Sequence, residues 1–183
     1  MDIFTLPKAE LHCHLDGAIL PQTLFELATE RGLEMPGNAK TVEELTPYVV
    51  YGPDCISVNT YLERFELPTQ ILQDREALER CAYELVVRLA EQGLIYAEIR
   101  FAPQYARFTG YSQQEYVEAA RDGLREALAK YPAMKASLIL CCMRGDDNRE
   151  ENMETIRMTT RHLDSGICAT DLAGAESLFP TEM

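Results

Sequence analysis

Four short apolar segments, separated by longer stretches of helical period, restrict the fold of this chain more than anything else in it. Ala9 to Leu15, Leu94 to Phe101, Leu138 to Met143 and Ile167 to Leu172 read as strands, the third a continuous apolar run of the buried kind. Pro21 suits a first helical position, and Leu24, Leu27 and Ala28 form an apolar stripe that ends near Gly32. Residues 41–72 read as short helices and loops broken by Pro47, Pro53 and Pro68. Asp74 is a cap residue, and the helix after it carries Leu78, Cys81, Ala82, Leu85, Val86 and Leu89 to a stop at Gly93. Ser112 with Glu115 has the form of a capping box, opening a helix that runs to about Lys130. A polar helix over about Arg149 to Leu163 ends at Gly166. The order is β-α-β-α-β-α-β, with connections long enough for right-handed parallel crossovers. The class is α/β with a parallel sheet.

No glycine-rich phosphate turn follows the first strand, which weakens a dinucleotide-binding sheet. Polar residues gather instead at strand C-terminal ends: His14 and Asp16, Arg100, Met143 and Arg144, Asp171 and Gly174. In a (β/α)8 barrel that rim is where sites are built. Four strands make half of such a barrel, and a whole one takes roughly 250 residues. The expectation is therefore one partial domain over residues 1–183, the N-terminal half of a TIM-type barrel truncated after its fourth strand. A half-barrel exposes two sheet edges, so a C-terminal half or a second chain is expected to complete it.

Charge narrows the partners. With 17 basic and 30 acidic residues the net charge is −13, which repels phosphate backbones and anionic lipid. Neither nucleic acid nor a membrane surface is expected, whereas a small neutral or cationic ligand is not disfavoured. The longest purely apolar run, Leu138 to Met143, has six residues, far short of a membrane span. Met1-Asp2-Ile3 opens without the pattern of a secretory signal. The six cysteines follow no C-x-x-C spacing and four sit in apolar runs, which reads as reduced thiols in a cytoplasmic protein.

His12-Cys13-His14 carries the chemistry. Residues two apart on a strand share a face, so the two imidazoles project side by side while Cys13 faces the helices. The pair suits a catalytic zinc, and equally two structural histidines of a buried strand, since two ligands do not close a site. Asp16, two beyond His14, reads either as a ligand-contacting carboxylate or as the turn residue before Gly17. Glu98 and Arg100 share a face of the second strand and read as an ion pair inside the sheet. Tyr61, Leu62 and Phe65 have helical spacing, which by itself reads as core packing. His162 reads as a helix-end histidine, and Cys141-Cys142 as core.

The run PKAELHCHLDGAI (Pro7 to Ile19) closely resembles the first-strand motif of adenosine deaminases, in the amidohydrolase superfamily. The likeness continues in order through YAEIRFAPQ (Tyr96 to Gln104), LILCCMRG (Leu138 to Gly145), DLAGAE (Asp171 to Glu176) and SLFP (Ser177 to Pro180). By that resemblance His12 and His14 are the first two zinc ligands, and His14 also lies against the substrate. Asp16 is similar to the residue that meets the ribose hydroxyl of a purine nucleoside. Gly174 matches the glycine whose backbone N–H meets a purine ring nitrogen. Tyr61, Leu62 and Phe65 resemble the apolar helix that covers the pocket, and Met143 lines it.

The activity so implied is hydrolysis of adenosine or deoxyadenosine to the inosine product by a zinc-activated water. The family's third zinc histidine, its catalytic glutamate and its paired aspartates lie beyond the fourth strand. No catalytic acid is identified in this chain; it is expected beyond Met183. The chain alone is accordingly expected to be inactive. A superfamily deaminase of adenine, or of a modified or phosphorylated adenosine, is the alternative. A non-catalytic fragment or assembly module is the alternative of another class.

Overall fold

The computed structural model describes residues 6–52, 57, 61–108 and 110–180. Four strands, β1 (Lys8–His14), β2 (Leu94–Phe101), β3 (Lys135–Met143) and β4 (Ile167–Ala173), form one parallel sheet in sequence order. Six helices accompany it among the described residues: α1 (Pro21–Glu30), α2 (Val42–Val49), α3 (Glu66–Ile71), α4 (Arg75–Glu91), α5 (Gln113–Lys130) and α6 (Arg149–His162). The sheet is open, with β1 and β4 as its two edges. β3 starts three residues before its apolar run. Lys135, Ala136 and Ser137 pair with Tyr96, Ala97 and Glu98, but only Leu138 to Cys142 are buried, so the apolar pattern marks just the inner part of the strand.

Two of the proline breaks are not breaks. Pro47 lies inside α2, where both it and Glu43, whose carbonyl would lose a ladder partner, face solvent. Pro68 is the third residue of α3, where a missing N–H is an orphan of the first turn anyway. Pro53 lies outside the described residues.

Alternation along the strands sends one set of side chains to the helices. Cys13, Ala97, Ile99, Phe101, Leu138 and Leu140 pack there with Leu78, Leu85, Val117 and Leu124. The other set, including His12, His14, Arg100, Cys141, Met143 and Asp171, faces the open side. All five described cysteines are free thiols; Cys55 lies outside the described residues.

α4 and α5 lie in close contact at Gly123. A methyl group there would press into the Glu79 carbonyl oxygen and come 3.0 Å from the Tyr83 backbone nitrogen. Both neighbours are backbone and cannot rotate away. Gly123→Ala is therefore expected to destabilise the chain by about 1–3 kcal/mol, the overpacking outweighing the ~1 kcal/mol of helix propensity that alanine adds. Urea unfolding of the two proteins reads the difference; a neutral or stabilised variant would contradict it.

Asp74 caps α4 by accepting from the Ala77 N–H at 2.7 Å, and Arg31 Nε donates to its other oxygen at 2.5 Å. Burial pushes this carboxyl up, but the Arg31 and Ala77 bonds outweigh it and hold it below its ordinary range. A depressed carboxylate stabilises above its unfolded pKa, and that contribution is lost as pH falls through the folded value. Asp74→Ala should cost about 1–2 kcal/mol at neutral pH. The gap between wild type and variant should close as unfolding is repeated at pH values below the ordinary aspartate range.

Candidate active site

The C-terminal ends of the strands surround a cavity of about 850 Å³. β1 delivers His12 and His14 to it from one face, as their spacing requires, with ring centroids 5.3 Å apart. The strand is held in place just beyond them: the Leu15 N–H donates to the Arg100 carbonyl at 2.9 Å, and the Leu15 side chain is wholly buried. The chain then turns through Asp16–Ala18, a short 3-10 turn in which the Gly17 N–H donates to Asp16 Oδ1 at 2.9 Å. Asp16 thus serves the turn and faces the cavity at once. Burial raises its carboxyl to about 6, against the lowering effect of the Gly17 bond.

Arg100 lies beneath this pair, 5% exposed on the open side of the sheet. Its guanidinium grips Asp171 of β4 with both arms, Nε to Oδ2 at 2.7 Å and Nη2 to Oδ1 at 3.0 Å. Burial raises the Asp171 carboxyl, but the bonds from Arg100 and from the Cys141 thiol pull it below its ordinary range. The expected Glu98–Arg100 ion pair is not formed. Glu98 instead accepts from the Tyr96 hydroxyl at 2.8 Å. Sharing a face of one strand brings the two residues near, but the fork of Arg100 reaches up and across to the rim of another strand, which intrastrand spacing does not reveal.

The third nitrogen of that fork, Arg100 Nη1, lies 2.7 Å from Nε2 and 3.1 Å from Nδ1 of His14. One atom within reach of both ring nitrogens sits over the ring's face rather than along a lone pair. Burial first, then the Arg100 charge, push His14 down to about 4. The imidazole is neutral at physiological pH, the form that binds a metal. Two imidazoles on one rim fit a zinc as two of its nitrogen ligands. Among the described residues no group of three His, Cys, Asp or Glu side chains converges as a metal site.

Tyr61, Leu62 and Phe65 line the cavity rather than the core. Tyr61 and Leu62 are 37% and 38% exposed, and the Phe65 ring meets Tyr61 edge-to-face with centroids 5.1 Å apart and lies 6.2 Å from His14. Phe65 also rests on Gly17, where a methyl group would come within 3.3 Å of its ring. Opposite, Met143 is fixed by the start of α6 and the residue before it: Asn152 Oδ1 accepts from the Met143 N–H at 2.8 Å, and Asn148 and Asn152 both donate to its carbonyl. Gly174 follows β4 with φ +111°, a conformation that side-chain-bearing residues rarely adopt, and packs against Arg144. Its neighbour Glu176 pairs with Arg144 at 3.0 Å on the exposed rim. His162 stays apart at the end of α6, hydrogen-bonded to Gln114.

The cavity therefore gathers every expected site residue: His12, His14, Asp16, Tyr61, Leu62, Phe65, Met143 and Gly174. Sequence reasoning misses the Arg100–Asp171 clasp, although both residues stand out as polar groups at strand ends. It also misses Gln73, Tyr105 and Phe179, which contribute to the wall and carry no local signature.

The adenosine deaminase family model matches residues 7–183. The chain belongs to that family. It is 46% identical over 176 residues to the adenosine deaminase of Haemophilus ducreyi, covering 94% of this chain and 51% of that protein. The adenosine deaminase of Shewanella woodyi is 35% identical, with 96% and 52% covered. The chain thus spans about half the length of the curated relatives it matches. Among solved structures it resembles an Arabidopsis N6-mAMP deaminase (TM-score 0.75, 27% identity, 94% of this chain and 51% of that one). It shares its fold with an amidohydrolase from Burkholderia ambifaria with bound zinc (TM-score 0.77, 22% identity, 97% and 46% covered). The four-stranded sheet corresponds to about half of these barrels. No helix among the described residues is long and apolar enough to cross a membrane.

For a family member, the charge beneath the histidines matters for stability as well as for the site. Asp171→Ala leaves the Arg100 cation buried without its carboxylate, which is expected to cost about 3 kcal/mol. Pairing Arg100→Met with Asp171→Leu removes both charges and should recover most of that loss. Denaturant unfolding of the single and double variants checks this, and equal losses in both would argue that shape rather than charge is at stake.

Proposed function

We propose that residues 1–183 supply one half of a purine nucleoside deaminase site, which converts adenosine or deoxyadenosine to the inosine product. The observation that carries this reading is the convergence of His12, His14, Asp16 and Gly174 on one cavity, in a chain 46% identical to an adenosine deaminase. His12 and His14 would hold zinc through their imidazole nitrogens, with a further ligand from outside these residues. Bound there, zinc would supply the Lewis acidity that makes water a nucleophile near neutral pH. Asp16 accepts from a ribose hydroxyl and sets how deep the nucleoside sits. The Gly174 backbone, unscreened by a side chain, offers its N–H to the purine ring. Tyr61, Leu62 and Phe65 close over the base and keep bulk water out of the reaction. The protonating acid comes from the half of the site that these residues do not form, so the 183-residue chain alone does not turn over.

Three observations weigh against the neighbouring activities. Asp16 at the ribose end repels a 5′-phosphate. Arg144, a cation of the cavity wall, already bonds Glu176 and the Phe179 carbonyl. Identity to the N6-mAMP deaminase is 27%, against 46% to the Haemophilus ducreyi adenosine deaminase. The five free thiols support placement in a reducing, cytoplasmic setting.

A chimera tests the reading. This chain is joined to the C-terminal half of the Haemophilus ducreyi adenosine deaminase, supplied with zinc, and assayed on adenosine, adenine and AMP. Adenosine deamination that disappears in His12→Ala is the expected result, with adenine and AMP at least a hundredfold poorer as judged by kcat/KM. Preference for AMP or adenine would overturn the substrate assignment, and turnover by the 183-residue chain alone would overturn the half-site.

A further inference from the structure

We propose that a small cavity behind Asp16 holds one ordered water molecule, through which Tyr116 and Gln73 position the Asp16 carboxylate. The cavity, about 20 Å³, lies between α3, the end of β2 and α5, and is lined by Asp16, Thr69, Gln73, Tyr105 and Tyr116 among others. That is room for about one water.

Two polar oxygens on its wall stand without a partner among the described residues. Tyr116, on α5, is 3% exposed, and its hydroxyl has no hydrogen bond. Gln73 spends its amide N–H on the Thr69 carbonyl at 2.7 Å, while its buried Oε1 accepts from nothing. Leaving two buried polar atoms dry is costlier than immobilising one solvent molecule. Two unpaired oxygens bordering the same water-sized space are seldom independent.

The donor count selects water. Gln73 Oε1 and the Asp16 carboxylate can only accept, whereas a phenol can donate its proton. A single water accepts from the Tyr116 O–H and donates one proton to Gln73 and one to Asp16, so every group is satisfied. Burial keeps the Tyr116 hydroxyl protonated, as that arrangement needs. Asp16 is otherwise bonded by its own turn, through the Gly17 N–H. The water would hold it from the opposite side, from a helix that never reaches the main cavity. Tyr116 and Gln73 are thus positioning residues.

The water site stands independently of the deaminase reading, whereas its effect on substrate rests on it. The test is a crystal structure of the 183-residue chain at a resolution that shows solvent, together with Tyr116→Phe and, should that variant not crystallise, Gln73→Met. The expected result is one water within hydrogen-bond distance of Tyr116, Gln73 and Asp16, with the carboxylate turned or disordered in the variant. A dry cavity, a direct Tyr116–Asp16 hydrogen bond, a bound cation in place of water, or an unmoved carboxylate in the variant would overturn the proposal. In the chimera, Tyr116→Phe should raise KM for adenosine severalfold, with kcat within twofold and KM unchanged for the deoxy analogue that lacks the ribose hydroxyl Asp16 meets. Equal effects on both substrates would refute positioning through Asp16. An inactive chimera would count against the deaminase reading, while the crystal structures would still decide whether the water is there.

Discussion

The buried guanidinium of Arg100 is the charge on which the open face of the sheet is organised. It holds Asp171 of the fourth strand with two bonds and lies over the ring of His14 on the first. These strands are the two edges of the sheet, yet one side chain from β2 connects their rims. The desolvation penalty of such a charge is offset only by good geometry on every arm, which fixes the rim residues relative to one another. Burial first, and then the same cation, keep His14 neutral, so the clasp bears on ligand chemistry as well as on stability. Around it the remaining parts are arranged locally: a 3-10 turn aims Asp16, Asn148 before α6 and Asn152 within it hold Met143, and positive φ brings Gly174 to the rim.

Much of this is legible in the sequence because it is local. The α4 and α5 caps, Asp74 and Ser112, are readable since a cap bonds within its own first turn. Strand β2 ends where its apolar pattern ends. The shared face of His12 and His14 follows from the pleat alone. What fails depends on distant or surface context. Pro47 and Pro68 read as helix breaks, but an exposed carbonyl and a first-turn position make each tolerable. Spacing assigns Arg100 to Glu98 because it shows which residues share a face and not which neighbour a long fork will choose.

The site divides along the same line. His12, His14, Asp16 and Gly174 sit in short motifs whose resemblance to a family can be seen, and the cavity brings them together. Tyr61, Leu62 and Phe65 have a stripe that spacing alone assigns to the core. The cavity wall they form depends on how the segment before α3 lies over Gly17. Tyr116 and Gln73 are invisible as site residues. Their importance lies in two oxygens without partners, a property of three-dimensional packing that no residue pattern records.

The two bare edges of the sheet give the net charge of −13 a second meaning. A parallel strand with free N–H and C=O groups is a template for any other strand, including that of another copy. Leu11 on β1 and Leu172 on β4 add apolar area at 59% and 45% exposure. A net charge of −13 opposes such pairing by like-charge repulsion, screened over a Debye length of about 10 Å at 0.1 M salt. Colloidal behaviour and edge geometry are therefore coupled in this chain: salt, by shortening that repulsion, sets how close two open sheets can come.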